Sequence, residues 1–240
     1  MLIDTHAHLD FPEFAEDLDH VLLRAKQAGV ERIITIGTSL ESSRKAVHLA
    51  ERYPQIYASV GIHPNSASQE REDFLSELEE MVKHPKVVAV GETGLDYYRL
   101  ASRQEESEVS EATFGAASFT TIENEIRDEA EMAVQSTAFE QHLELAAAAR
   151  ISVVIHQRDS WEDTIEVLRK YSTRVRAVIH CFDAGLAQAQ EVVDLVSFTG
   201  IVTFENASEV REAAKSVSES LNCRTQSRLL WNPQGLQIIF

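Results

Sequence analysis

Cysteine and positive charge are what this chain has least of. Two cysteines, Cys181 and Cys223, occur in 240 residues. That is too few for a disulfide framework, and both read as free thiols in a reducing cytoplasm, the expected compartment. Lysine and arginine number 22 against 39 aspartate and glutamate, giving a net charge of −17. Such a deficit argues against a protein that grips nucleic acid through a broad basic face. It leaves room for an enzyme whose bound cations supply positive charge locally. Long apolar runs are also missing: none approaches the roughly 18 residues of a membrane helix. The opening LIDTHAHLDF is broken by Asp4 and His6, so it reads neither as a signal peptide nor as an anchor.

What the chain does have is a recurrence. Apolar, β-branched runs end again and again on residues that bind metals: LIDTHAH on His6 and His8, VVAVGETGLD around Glu92, ISVVIH on His156 and RAVIHCF on His180. Arg32–Gly37, Tyr57–His63 and Ser197–Phe204 add further strand candidates. Helix-period stretches lie between them, at Phe14–Ala28, Glu41–Tyr53, Glu70–Lys83, Phe139–Arg150, Trp161–Tyr171, Leu186–Val193 and Glu209–Val217. In the first, Leu18, Val21, Leu22 and Ala25 keep the spacing of one buried face, and Gly29 fits a left-handed C-terminal cap. Strand alternating with helix predicts parallel pairing through right-handed crossovers. The fold expected is α/β, a (β/α)8 TIM-type barrel, with the ligand-type residues at its C-terminal rim. A 44% hydrophobic chain of this length can build it as one domain over residues 1–240.

Two segments break the rhythm. Residues 101–136 are rich in Ser, Glu and Ala; the first part reads as a mobile acidic excursion and IENEIRDEAEMAV as an exposed helix. Residues 218–240 hold a turn-like NPQG but no strand-plus-helix unit, so the barrel is incomplete at its last strand and helix.

Spacing constrains the chemistry. In an extended strand His6 and His8 project to the same side, so they can share one divalent cation, or they can simply bond to backbone. Glu92 has two oxygens and can bridge two cations where an imidazole nitrogen cannot. His156 and His180 can each offer a nitrogen to the second. Asp4 and Asp96 either orient these histidines or cap turns. Arg158 either clamps a substrate phosphate or pairs on the surface. His63 either reaches the site mouth or caps the following helix. Cys181 reads as a buried thiol, and His20, His48, His84 and His142 as surface residues.

The stretches IDTHAHLD, GIHPNSA, VGETGLDYYR, FEQHLELAAA, VVIHQRDSWEDT, IHCFDAG and FTGIVTFENA resemble the TatD family of metal-dependent deoxyribonucleases, in the family's order. The resemblance covers most of residues 1–100 and 135–217. It implies a barrel with two divalent ions (Mg, Mn or Zn), and phosphodiester hydrolysis with DNA as substrate. Carried over, the metal ligands are His6, His8, Glu92, His156 and His180, with Glu92 bridging and catalytic. His63 and Arg158 are the substrate-binding candidates. Measured against the family, 101–136 is an acidic insertion and 218–240 a divergent tail, a truncated or altered version of the C-terminal part. The family's last-strand ETD(S/A)PYL motif carries a metal-binding aspartate, where Gln226 stands here, and no aspartate follows Asp194. Glutamine is neutral and no base, so weakened activity is expected. A related barrel hydrolysing a small ester or aminoacyl substrate, and a catalytically degenerate metal-binding barrel serving as an interaction protein, are the alternatives.

Overall fold

The computed structural model describes residues 2–71, 73–102, 117–180, 182, 185–195, 203–204, 228–232 and 235–239. Six parallel strands run in sequence order in one curled sheet: β1 (Leu2–Ala7), β2 (Val30–Ile36), β3 (Ile56–Val60), β4 (Val87–Asp96), β5 (Ser152–Arg158) and β6 (Ala177–His180). Helices return the chain between them: α1 (Leu18–Gln27), α2 (Leu40–Arg52), α3 (Phe74–Met81), α4 (Ala117–Ala149) and α5 (Trp161–Tyr171), with α6 (Leu186–Leu195) after β6. This is the strand–helix order of a TIM-type barrel, and it puts every strand end on one rim.

Local sequence accounts for most boundaries. Leu18 and Leu22 are buried on α1 with Ala25 packed beside them, and Gly29 beyond it has φ +90°. Ser39 caps α2 by accepting from the Ser42 amide at 3.1 Å. Ile36, Val60, Val90, Val153, Ile155 and Ile179 are almost wholly buried, because strands covered on both faces need apolar residues throughout.

Helix α4 departs from expectation. Instead of a break before Phe139, one 33-residue helix runs from Ala117 to Ala149. Its buried side is apolar at Phe139, Leu143 and Ala146 but polar at Asn124, Asp128 and Gln135. Apolar periodicity ends where the buried residues turn polar. Asp128 accepts from the Ala101 and Ser102 amides, so this part of the 101–136 segment is docked and not simply an exposed helix.

Past α6, β7 (Thr203–Phe204), β8 (Arg228–Asn232) and β9 (Gly235–Ile239) form a separate antiparallel sheet in the order β7-β9-β8. The strand expected over Ser197–Phe204 is thus described only at Thr203–Phe204, where it pairs antiparallel with β9. Strands β8 and β9 pair antiparallel with Asn232 opposite Gly235, and the middle of the NPQG turn lies outside the described residues. Cys181, Cys223, Gln226, the Glu209–Val217 helix and residues 103–116 lie outside the described residues. Among the described residues no helix is long and apolar enough to cross a membrane.

Candidate metal centre at the strand ends

Strand β4 supplies the centre of the site. Glu92 and Asp96 are both nearly fully buried on it, and pairing with β5 skips register between Val90 and Thr93. Glycine makes this approach possible. Gly91 and Gly94 have φ of +130° and +136°, and a side chain there would collide with the Val154 and His156 carbonyls. Register then sets Gly94 opposite His156 and His156 opposite His180.

Five imidazoles surround the one Glu92 carboxylate. His6 Nε2 and His8 Nε2 lie 3.5 Å and 3.9 Å from Oε2. His156 Nδ1 is 3.0 Å from Oε1, with His63 Nε2 and His180 Nε2 each 4.0 Å from it. The rings pack on one another: His6 stacks on His180 with centroids 3.6 Å apart, and His63 meets His156 edge-on at 4.4 Å. Two triads have ligand atoms all within 4.8 Å of one another: His6, His8 and Glu92, and His63, Glu92 and His156.

Burial sets the charges. It pushes His180 down to about 3 and His63 to about 4, with the neighbouring His6 and His156 respectively adding to the effect, and it lowers His8 as well. Neutral imidazoles keep a lone pair for a cation. His156 goes the other way: burial disfavours its charge but is outweighed by hydrogen bonds to Asp96 and Glu92, so its pKa rises to about 9. Burial likewise works against the Glu92 and Asp96 carboxylates. Both are nonetheless held below the usual range, chiefly by the hydrogen bond from His156. The donor set fits a divalent cation. His6 Nε2 in particular is buried without a hydrogen bond, a position a protein fills with a ligand or loses stability over.

Supporting residues surround this centre. Asp96 does both things the sequence allowed it: Oδ2 sits 3.3 Å from His156 Nε2, and Oδ1 caps the Tyr98 amide. Asp4 accepts from the His6 amide. His63 also serves twice, since its Nδ1 accepts from Asn65 N–H as the cap of the Pro64–Gln69 turn. Arg158 lies over the Tyr98 ring, 3.5 Å from its centroid.

Sequence reasoning passed over three residues. Asn65 donates to Asp96 Oδ2 at 3.0 Å. Gln135, inside the segment taken for an insertion, grips the end of β4: its Oε1 accepts from Asp96 N–H and its Nε2 donates to Asp96 C=O. His142, taken for a surface residue, is fully buried. Its Nδ1 faces the Ala138 carbonyl at 2.6 Å, and its Nε2 accepts from Ile62 N–H at 3.0 Å, one residue before His63. The signal for His142 was its place beside Phe139, Leu143 and Ala146; for Asn65 and Gln135 there was none.

Comparison with known proteins adds four findings. The family model described as TatD related DNase matches residues 3–221. The chain is 32% identical to the uncharacterized metal-dependent hydrolase YabD of Bacillus subtilis, over 90% of this chain and 76% of that one. It is 33% identical to the 3'-5' ssDNA/RNA exonuclease TatD of Edwardsiella piscicida, over 83% and 67%. Among solved structures it resembles the TatD homologue YjjV of Escherichia coli, with TM-score 0.68 and 30% identity, over 88% of this chain and 73% of that one.

Proposed function

From the premise that this chain belongs to the TatD related DNase family of metal-dependent hydrolases, we propose that it hydrolyses phosphodiester bonds at the ends of DNA strands. One observation carries the proposal. The two oxygens of Glu92 face different histidine sets, His6 and His8 on one side and His63, His156 and His180 on the other. A carboxylate so divided is suited to bridging two cations. When bound, divalent ions supply Lewis-acid charge for the phosphoryl oxygens and favour deprotonation of the attacking water.

The chain's own residues do the rest. His6 and His8 would hold one ion together with Glu92, and His156 and His180 would hold the other. To ligate through Nδ1, His156 would release to solvent the proton that faces Glu92 Oε1, while its Nε2–H would stay on Asp96 Oδ2 and keep the ring in place. His63, as far from Oε1 as His180, is left to meet the substrate or complete the second ligand set. Arg158 stands at the same rim on the Tyr98 ring and contacts the phosphate backbone.

The test is nucleotide release from single-stranded DNA with added Mg²⁺ or Mn²⁺, wild type against Glu92→Gln. Loss of at least two orders of magnitude is expected, and equal rates would remove the claim of catalysis at this site. A second reading, a barrel that binds metal without turnover, draws on Gln226 standing where the family has its aspartate. Stoichiometric metal on a folded wild type that releases no nucleotide would favour it.

A further inference from the structure

A chain of net charge −17 gains little from counterion release on binding a polyanion. Affinity for a strand must then come from the metal centre and from contacts indifferent to charge, of which base stacking on an aromatic face is the strongest. Among the residues whose side chains are described, two aromatic ones are exposed, Phe11 at 43% and Tyr98 at 51%. Both follow strands that carry residues of the centre, β1 and β4. Tyr98 already has the Arg158 guanidinium over its ring. Phe11 has a cluster residue on its other side: its ring lies within 17° of parallel to the His8 imidazole, with centroids 4.9 Å apart. His8 in turn is 3.9 Å from the Glu92 carboxylate. One face of Phe11 is therefore packed against the centre while much of the ring remains in water.

An exposed apolar side chain is ordinary on any surface. What sets Phe11 apart is its place. It stands one ring beyond a histidine of the centre, and it also lines a groove of about 590 Å³ with Asp10, Lys45 and His48. A base stacked there would sit beside any phosphodiester held at Glu92.

We propose that Phe11 is the stacking platform for an unpaired base adjoining the bond to be cleaved, a positioning contact separate from the metal centre. The proposal rests on the phosphodiesterase reading above. Stacking needs a free base face, which a duplex covers with its neighbouring pairs. Single strands should therefore be preferred for a reason built into the rim.

The experiment uses the full chain with Mn²⁺ and compares wild type, Phe11→Ala and Phe11→Trp. The substrates are an oligonucleotide carrying 2-aminopurine at each end in turn, and one of equal length with abasic ends. Phe11→Ala should lower kcat/KM on the base-bearing strand by roughly 5- to 150-fold and abolish 2-aminopurine quenching on binding. It should leave the abasic strand within about twofold, which shows His8 undisturbed. Phe11→Trp should restore both readouts. Cleavage that persists while quenching and kcat/KM ignore Phe11 overturns the inference and spares the phosphodiesterase reading. Phe11-dependent quenching without Glu92-dependent cleavage does the reverse, and absence of both removes both.

Discussion

Lowering the pH should destabilise this protein through His142, and by an amount the structure sets. The ring is fully buried, with both nitrogens committed to backbone groups, and burial pushes its pKa from 6.5 to about 4. A depressed folded-state pKa means that the unfolded chain takes up a proton first as pH falls. The stability is therefore fully present above about 6.5 and drains away as pH drops towards about 4. A fall from 6.5 to about 4, at about 1.4 kcal/mol per pH unit, comes to about 3 to 4 kcal/mol, with no discount for solvent because none reaches the ring. The neighbouring His8, His63 and His180 also have lowered values, so the measurement must be a difference. Urea unfolding followed by circular dichroism at several pH values between 7 and 4.5 should be run on wild type and His142→Gln. Glutamine can accept from Ile62 N–H but does not titrate. The gap between the two proteins should change by about 2 to 3 kcal/mol over that range in favour of the variant. Parallel curves would refute the assignment of His142 as a buried neutral base.

Other consequences are as direct. His142→Leu leaves the Ile62 amide without an acceptor, so it should cost about 1–3 kcal/mol more than His142→Gln at pH 7, read by the same unfolding assay. Gln135→Leu strands the buried Asp96 amide and should lower stability by about 1–3 kcal/mol; an unchanged urea midpoint would contradict the bond drawn between helix and strand. Gly91→Ala places a side chain against the Val154 carbonyl at φ +130°, so backbone strain alone should remove about 1–3 kcal/mol and thermal melting should show it. Adding Mn²⁺ at about 100 times its Kd should stabilise the wild type by about 2.7 kcal/mol. Glu92→Gln should lose most of that gain, and equal shifts in the two proteins would place the ion elsewhere.

The ligand-type residues and the strands that carry them were legible because both follow short-range rules. Alternation along the extended LIDTHAH segment, β1 and the residue after it, puts His6 and His8 on one side, and an apolar run that stops on a donor marks a rim. The boundaries of Val87–Asp96 and Trp161–Tyr171 were readable for the same reason, since apolar spacing within about ten residues decides them. The 33-residue helix was not, because the part ahead of Phe139 buries Asn124, Asp128 and Gln135, which read as solvent-facing. The second sheet also escaped: residues 228–232 and 235–239 pair with each other antiparallel, and no strand-helix spacing signals that choice.

By itself, then, the sequence determined which donors exist, their order, and the alternating architecture that sends them to one rim. Tertiary structure decided which oxygen of Glu92 each histidine faces, and which polar residues are buried to hold them. Gln135 reaches Asp96 across 39 residues and His142 reaches Ile62 across 80. Whether a polar side chain is buried and bonded or left in water depends on what packs against it from that far away, and no local pattern of residues carries that information.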